Sequence, residues 1–442
     1  MPESPASLYF VCDGCSFPDL FGGGCLFLEP VVGIDVAKNK SEVCILGPDN
    51  RPWGDLHVLN HSLDDFERFF VFLKEVEKHF LSKPVLVCEA TGHYHRLLTH
   101  FFSDKGFKVV VLNPIQSAGM KNINIRKVKS DQVDALRIAY VYRLKDFRQT
   151  DPFDPVFVEL KELCHHQAKL VQLLTMVKNQ TLAVLDQVFP EYQGIFYDTF
   201  GSASLKILSH FPSPGTIVNA GLTGLMEVLK TCPGLSLSRM KSKAQLLLTK
   251  AQNNLSFFDL ASNETILRSN ILLIKAISEQ IDEAESNILS FAETIPDYWL
   301  LQSIPGIGPG NASRILAEIG TMARFKSPKQ FVAFCGIDPT VKRSGNFTGT
   351  KNVMSKRGSP ALRKALFMAA LKSICQEKDG SKVNSVLFDY YQTKCKGKPK
   401  KVALGAVMQK LAKIIYAVLR DQKPYVMRSN EQHQSLMKLL HS

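Results

Sequence analysis

The sequence predicts three successive parts: an α/β domain with a mixed sheet at residues 31–150, a helical connector at 151–298, and a mainly helical domain at 299–442. Short apolar runs alternate with amphipathic stretches in the first part, which is the pattern of an α/β domain. Two stretches of about thirty residues in the middle keep helical spacing throughout. Residues 1–30 have no clear periodicity. We therefore expect them to be an N-terminal extension, and not a signal peptide.

The first domain begins with three predicted strands. They are VVGIDVA from Val31, SEVCIL from Ser41, and a third run ending at His57–Leu59. The segments that follow are an amphipathic helix at Leu63–Phe80, a strand ending at Glu89, a helix at Gly92–Lys105 and the strand FKVVVLNP. Since helices separate the later strands while the first three follow one another directly, the sheet should be mixed.

The last helix of this domain opens with two acids, Asp131 and Asp134, three residues apart. Ser130 is a plausible N-cap, and apolar residues follow at helical spacing: Ala135, Ile138, Ala139 and Tyr142. Residues three apart share one face of a helix. The two carboxylates fit either a solvated first turn favoured by the helix dipole or half of a divalent-metal site. The metal site would need more carboxylates.

Two further acids stand at the strands of the same domain. Asp35 lies inside the first apolar strand, where an unpaired carboxylate is costly to bury, and Glu89 ends a later strand. Ligands of open α/β sheets gather at the carboxyl ends of the strands. Four converging carboxylates would suit Mg²⁺ or Mn²⁺, and two such ions can drive phosphoryl transfer.

The composition excludes a disordered chain and favours an anionic partner. Hydrophobic residues make up 45% of the 442 residues, and the net charge is +13 with a pI near 9.2. A basic balance is typical of proteins that bind nucleic acid. We noted no apolar run of about eighteen residues, so we expect no membrane partner.

Most of the ten cysteines have the scattered spacing of reduced core thiols in a cytosolic protein. Seven of them are scattered through apparent strands and helices: Cys44, Cys88, Cys164, Cys232, Cys335, Cys375 and Cys395. Cys12 and Cys15 form one C-x-x-C pair, with Cys25 nearby. A zinc site usually needs a second paired motif, so we do not predict one here.

The connector contains two long amphipathic helices, Phe157–Phe189 and Glu264–Ile295. They fit an antiparallel pair, a contact between subunits or an ordinary helical core, and periodicity does not separate these. The adjacent His165 and His166 face different sides of a helix, so we assign them to a surface or an interface rather than to a metal site.

The C-terminal part has three motifs that fit phosphate binding. Gly306 and Gly308 punctuate a turn before a helix, which fits either half of a helix-hairpin-helix module or a tight corner. Ser344–Gly345 lies in a loop rich in cations and has no Gly-x-Ser-x-Gly elbow. Its serine either stabilises the turn or is a nucleophile that needs activation. KCKGKPKK, from Lys394, is either a solvated turn or a phosphate contact.

Three segments, GIDVAKNK, CEATG with HYHRLLTHF, and RKVKSDQVDALRIA, together resemble the RuvC-like, RNase H-fold domain of the DEDD transposases. These are the insertion-sequence recombinases of the IS-one-ten group. The resemblance implies that Asp35, Glu89, Asp131 and Asp134 are catalytic and hold Mg²⁺, with Mn²⁺ as the alternative ion.

The segment from GIDP to LRKAL is similar to the C-terminal serine transposase domain of the same family. The resemblance implies that Ser344 attacks a DNA phosphate, with Ser355 and Ser359 as rivals. It also implies a coiled-coil connector, homo-oligomers (dimer or tetramer), donor and target DNA, a structured guide RNA, and a prokaryotic cytoplasm with the nucleoid as the setting. The predicted nucleic-acid contacts are Lys127, Lys129, Gly306, Gly308, Arg343, Lys351, Lys356 and Arg357.

Two other functions fit parts of the sequence. One is a metal-dependent nuclease of the junction-resolvase type, in which Ser344 is structural. The other is an actin-like kinase or ATPase fold, whose first phosphate loop can also begin as a strand with GID. That fold needs a second Gly-rich phosphate turn, which the segment EATGHYH lacks.

Overall fold

The computed structural model describes residues 29–90, 92–112, 131–144, 155–254, 261–340, 353–428 and 432. It also describes the backbone of residues 343–344 and 347–348, and of residues 131–133 the backbone alone. The chain divides into two compact units, residues 1–152 and 153–442. Cys12, Cys15, Lys127, Lys129, Ser130 and Lys351 lie outside the described residues.

The first unit is built on a five-stranded sheet. Its strands are β1 (Val31–Val36), β2 (Lys40–Leu46), β3 (Pro52–Asn60), β4 (Val85–Glu89) and β5 (Lys108–Leu112). The order across the sheet is β3-β2-β1-β4-β5. β1, β2 and β3 pair antiparallel, whereas β4 is parallel to both β1 and β5. The predicted α/β domain with a mixed sheet is therefore confirmed.

Helices cover both faces of this sheet. α1 (Leu63–Phe80) and α2 (His95–Asp104) pack on one face, and α3 (Asp131–Arg143) packs on the other. α1 has the predicted bounds, and Ser62 caps it by accepting a hydrogen bond from the Asp65 amide at 3.2 Å. α2 begins three residues later than predicted because Gly92 has a φ of +57°, which no α-helix accommodates.

The second unit is mainly helical, as predicted. Its helices are α4 (Pro155–Val188), α5 (Ser202–His210), α6 (Pro214–Lys230), α7 (Leu237–Gln252), α8 (Ala261–Ala292), α9 (Pro296–Gln302), α10 (Pro309–Ile319), α11 (Pro328–Phe334), α12 (Pro360–Ser373), α13 (Ser385–Cys395) and α14 (Lys400–Asp421). A short hairpin joins β6 (Arg343–Ser344) to β7 (Phe347–Thr348). Pro190 follows the end of α4, as the sequence predicted.

The two long helices, α4 and α8, pack antiparallel along one another. Gln167 of α4 donates a hydrogen bond to Glu285 of α8, whereas Val177, further along α4, packs with Ile274 and Ile277. Residue numbers thus rise along α4 as they fall along α8. The packing within the chain supports the antiparallel-pair alternative, while a coiled-coil role in assembly stays a prediction.

α14 is the central helix of the C-terminal core. Its apolar residues, including Val407, Leu411 and Ile415, are fully buried among α9 to α12. It is also the one helix among the described residues that is long and apolar enough to cross a membrane, and 56% of its apolar window is buried in the protein. From the sequence we expected no apolar run of about eighteen residues, and that expectation overlooked this helix. In the structure it packs as a core helix.

The close packing of α3 on β1 gives a first prediction. A Cβ added at Gly33 would lie 2.1 Å from the Ala135 carbonyl oxygen and 3.0 Å from the Ala139 Cβ. Gly33→Ala should therefore displace α3 and lower the free energy of unfolding of the first unit by about 1–3 kcal/mol. Hydrogen–deuterium exchange of peptides from β1 and α3 would measure the loss as faster exchange.

Gly397→Ala is the matched control, since a Cβ at Gly397 would meet no atom within 4 Å. Unchanged exchange of α3 in the Gly33→Ala protein would contradict the proposed close packing of the helix on the strand.

Candidate active site

The strands that carry Asp35 and Glu89 lie side by side. β1 and β4 are parallel neighbours with Ile34 opposite Cys88, and the two acids follow these last paired residues. Side chains alternate along a strand, so Asp35 and Glu89 belong to the same sheet face as Gly33, the face that α3 covers. Both carboxylates are half-buried. We call this part of the sheet, where Asp35 and Glu89 meet the start of α3, the carboxylate edge.

α3 brings its first turn to the carboxylate edge because it runs antiparallel to β1. Its end lies beside the start of β1, where the Tyr142 hydroxyl donates to Glu29 Oε1 at 2.5 Å. Its first turn lies beyond Gly33, against which Ala135 is fully buried. Asp131 and Asp134 directly precede this contact and so approach the end of β1 that carries Asp35.

The described acids do not form a closed metal-ligand cluster. Asp134 makes an ion pair with Arg137 on the next turn, and both side chains are largely buried. The side chain of Asp131 lies outside the described residues. Among the residues that are described, no group of three or more Asp, Glu, His or Cys side chains is placed to hold a metal. The donor chemistry of the edge, carboxylate oxygens only, nonetheless fits a hard cation such as Mg²⁺.

Sequence reasoning did not identify Arg137 as a residue of the site, although its spacing from Asp134 is a recognised signal for an ion pair on a helix. In the structure it neutralises one of the four acids. A metal bound through Asp134 would therefore compete with this guanidinium.

A cleft lies at the same end of β1 and β4, and none of its lining residues within the described part of the chain is acidic. Its lining residues come from three separate segments of the chain: Lys38, Asn39, His61, His93, Tyr94 and Leu97. Burial lowers the pKa of His61, although a hydrogen bond with the Lys38 backbone opposes this. Its Nε2 lies 2.7 Å from the buried Ser41 hydroxyl. No local pattern in the sequence could have joined these residues.

The second unit has a candidate site of its own in the serine loop, residues 338–356. Its two ends meet through glycines: a Cβ added at Gly358 would lie 1.9 Å from the Phe334 carbonyl oxygen, and one at Gly336 would lie 2.5 Å from the Gly358 amide. Above this base, Ser355 N donates to the Asp338 carbonyl at 2.8 Å, and Thr340 N donates to the Val353 carbonyl at 2.7 Å. The loop is therefore closed by backbone contacts.

Ser344 lies on the β6–β7 hairpin within this loop. Its backbone pairs with that of Phe347, and Arg343 pairs with Thr348. The side chains of Arg343 and Ser344 lie outside the described residues. The rival serines both have structural partners, since Ser355 Oγ donates to Asp338 and Ser359 caps α12 by accepting from Leu362 N at 3.2 Å.

The predicted phosphate contacts in the second unit differ in what they touch. Lys356 and Arg357 are exposed, at the end of the serine loop and just beyond it. Gly308 is open, because an added Cβ would meet nothing within 4 Å. Gly306 has a packing reason of its own, since an added Cβ would lie 2.0 Å from Ser373 Oγ. Its role in phosphate binding stays a prediction.

The side chain of His165 links the long helix α4 to α10. Its Nε2 lies 2.7 Å from Oε1 of the buried Glu318, which Lys161 also approaches at 3.7 Å. The sequence assigned His165 to a surface or an interface, and the structure confirms an interface between helices.

Cys335 precedes Gly336 at the base of the serine loop and is fully buried. Burial raises the pKa of its thiol to about 12, although a backbone hydrogen bond and the charge of Arg363 oppose this. The thiolate is the reactive form of cysteine, so this residue is inert near neutral pH. The seven cysteines that the sequence assigned as reduced are free thiols in the structure.

Two family models match the chain. Residues 32–190 match the DEDD transposase model of the IS110 type, and residues 298–384 match the model described as transposase IS116/IS110/IS902 family. The first match contains all four predicted carboxylates, and the second contains Ser344.

Relatives with known names span most of the chain. The pilin gene-inverting protein of Moraxella bovis is 22% identical over 90% of this chain and 98% of that protein. The uncharacterized 43.6 kDa protein of insertion element IS110 from Streptomyces coelicolor is 23% identical over 74% of this chain and 79% of that protein. Among solved structures, Thermus thermophilus RuvC with a Holliday junction is 14% identical with a TM-score of 0.22, covering 28% of this chain and all of that chain.

The buried thiol at the loop base gives the second prediction. At pH 8, iodoacetamide should alkylate Cys335 in the native protein about a thousandfold more slowly than an ordinary thiol, because so little of it is thiolate. Mass spectrometry of timed digests would measure each site separately. The half-buried Cys395 is the internal control. Equal rates at Cys335 and Cys395 would show that the loop base opens readily.

Proposed function

The chain belongs to the IS110-type family of DEDD transposases, and from this premise we propose that it cuts and rejoins DNA as the transposase of an insertion sequence. The observation that carries the proposal is the carboxylate edge. There, two parallel strand ends carry Asp35 and Glu89, and α3, which packs on the same sheet face, starts with Asp131 and Asp134 in its first turn. The +13 net charge supports a polyanionic substrate.

We assign the four acids to metal binding. Asp35, Glu89, Asp131 and Asp134 would hold Mg²⁺, or Mn²⁺ in its place. The bound ion would stabilise the charge that develops on the phosphate oxygens. Arg137 would release Asp134 to the metal and remain close to the phosphate, where its positive charge is also favourable. The RuvC-like assignment of this domain is supported by the match to the DEDD model and by the mixed sheet.

We assign the nucleophile to Ser344. Its Oγ would form a bond to a DNA phosphorus while the bond from that phosphorus to one ribose oxygen breaks. The hydroxyl proton would leave to a base or water, and the departing oxygen would take up a proton. A covalent intermediate of this kind conserves the energy of the broken bond for rejoining. The structural roles of Ser355 and Ser359 support the choice of Ser344 among the three serines.

The partners follow from the family. We propose donor and target DNA, a structured guide RNA, a homo-oligomer, and action at the nucleoid in a prokaryotic cytoplasm. α4 and α8 would serve as a coiled-coil connector, with domain limits at residues 150 and 298. Lys127, Lys129, Arg343, Lys351, Lys356 and Arg357 would contact nucleic-acid phosphates, as would the turn at Gly306 and Gly308.

Site-specific DNA inversion is a second candidate function. It is favoured by the Moraxella bovis relative, which this chain matches over 98% of its length. Inversion and transposition share strand breakage and rejoining, and differ in where the two recombining sites lie. A substrate with both sites in inverted orientation on one plasmid would separate the two candidates.

Loss of the nucleophile gives the third prediction. With Mg²⁺ and end-labelled element-junction DNA, and with the flanking RNA added or omitted, the wild-type protein should form a protein–DNA adduct that survives denaturation. Ser344→Ala should remove the adduct and slow strand breakage by at least about a thousandfold. Denaturing gels would measure both.

Ser355→Ala and Ser359→Ala are the matched controls, and both should keep the adduct. Loss of the adduct only in Ser355→Ala or only in Ser359→Ala would reassign the nucleophile. Free cleaved DNA without an adduct, unchanged by Ser344→Ala, would favour the junction-resolvase alternative. Tight ATP binding in place of DNA chemistry would favour the kinase-like fold.

The carboxylates give the fourth prediction. Asp35→Asn and Glu89→Gln keep the side-chain volumes but remove the charges that would hold the cation, so each should slow strand breakage by at least about a hundredfold. Chelation with EDTA should abolish the reaction, and added Mg²⁺ should restore it. Asp104→Asn, an exposed acid of α2, is the control and should leave the rate unchanged. Activity of Asp35→Asn equal to wild type would remove Asp35 from the site.

A further inference from the structure

One segment of the second unit has a charge distribution unlike the rest of the chain. Residues 390–420 contain seven lysines and one arginine and no acid at all. The whole chain, by contrast, has 41 acids against 54 basic residues. The nearest preceding acid, Asp389, is already paired with Lys382 at 2.7 Å. The positive charge of this segment is therefore not balanced within the segment.

The lysines are concentrated at one exposed turn. α13 ends at Cys395 and α14 starts at Lys400, so only four residues connect the two helices. We call Lys394, Lys396, Lys398, Lys400 and Lys401 together the lysine turn. Apart from the half-buried Lys394, these lysines are exposed. A Cβ added at Gly397 would meet nothing within 4 Å, so the space around the turn is open.

An aromatic ring holds the base of the lysine turn. The ammonium of Lys410 lies 4.6 Å from the centre of the Tyr390 ring, and that of Lys394 lies 5.2 Å from it. The contact of Lys410 joins α14 to α13, whereas that of Lys394 lies within α13. The two helices that flank the turn are therefore in direct contact.

The position of these charges does not stabilise the fold. Lys400 and Lys401 occupy the first turn of α14, which contains no acid. The start of a helix has a partial positive charge, so cations there are unfavourable and anions are favourable. Five lysines within eight residues also repel one another. A bound polyanion would relieve both effects.

We propose that the lysine turn binds the phosphodiester backbone of a nucleic acid. The inference rests on the proposed function for the presence of such a partner, and it adds a contact surface outside the carboxylate edge and the serine loop. A convex turn with separate point charges suits a line of phosphates better than a single small anion. Lysine ammonium groups offer no bidentate fork to read bases, so the contact is independent of sequence.

The test is the salt dependence of binding. Fluorescence anisotropy of the full chain in EDTA would give the Kd for duplex DNA at several salt concentrations, without strand chemistry. The same titration with a structured RNA separates the two sources of phosphodiester. The triple variant Lys396→Gln, Lys398→Gln, Lys400→Gln should reduce the slope of log Kd against log salt by about 2–3 for the preferred nucleic acid. These exposed side chains are not needed for folding, and circular dichroism would check this.

The control removes the same charge elsewhere in the second unit. Lys230→Gln, Lys275→Gln and Lys326→Gln change exposed lysines of α6, of α8 and of the bend before α11, and should leave the slope within about 1 of wild type. An equal loss in both triple variants would attribute the effect to net charge and overturn the proposal. An unchanged slope in the lysine-turn variant, with wild-type binding intact, would overturn this proposal alone. Absence of any salt-dependent binding by the wild type would overturn the proposed function as well.

Discussion

The candidate site of the first unit depends on one close contact, that of α3 with β1 at Gly33. The Ala135 carbonyl approaches so near that even a methyl group at residue 33 would collide with it. This contact fixes the height and direction of α3 over the sheet. The helix starts where β1 and β4 end, so Asp131 and Asp134 approach Asp35 and Glu89. Asp35 and Glu89 stand within one residue of a strand end, and Asp131 and Asp134 lie in the first turn of α3, so the contact at Gly33 positions the helix start relative to the strand ends.

In the second unit, close contact at glycines closes a loop instead of positioning a helix. Gly336 and Gly358 let two backbone segments touch, and the serine loop leaves and returns across this contact. A loop closed at its base can hold a hairpin such as the one that carries Ser344 without a large core of its own. Burial of Cys335 beside this contact keeps its thiol unreactive, and the Arg363 guanidinium donates a hydrogen bond to the Gly358 carbonyl at 2.7 Å. The absence of side chains at the two glycines thus determines the shape of the loop.

Acidic and basic side chains are concentrated at separate places in both units. This separation fits a protein that acts on a polyanion. Acids gather at the carboxylate edge, where Arg137 already offsets Asp134. A cleft whose lining includes a lysine, two histidines and a tyrosine lies at the same end of the sheet. The lysine turn adds a segment of 31 residues without a single acid. A negatively charged strand would meet favourable charge at these basic surfaces and would need a cation at the acidic one.

The sequence by itself determined the order of strands and helices, the bounds of α1 and the start of β1 at Val31. Periodicity and end signals are local, so they can be read without knowing the packing. It also placed Asp35, Glu89, Asp131 and Asp134 at strands and a helix start. Only the tertiary structure decided what each apolar face packs against: that α4 and α8 lie antiparallel, that Arg137 reaches Asp134, and that Gly306 serves contact with Ser373. Periodicity shows which face of an element is buried, but not its partner, because partners distant in the chain are chosen by the packing of the whole unit.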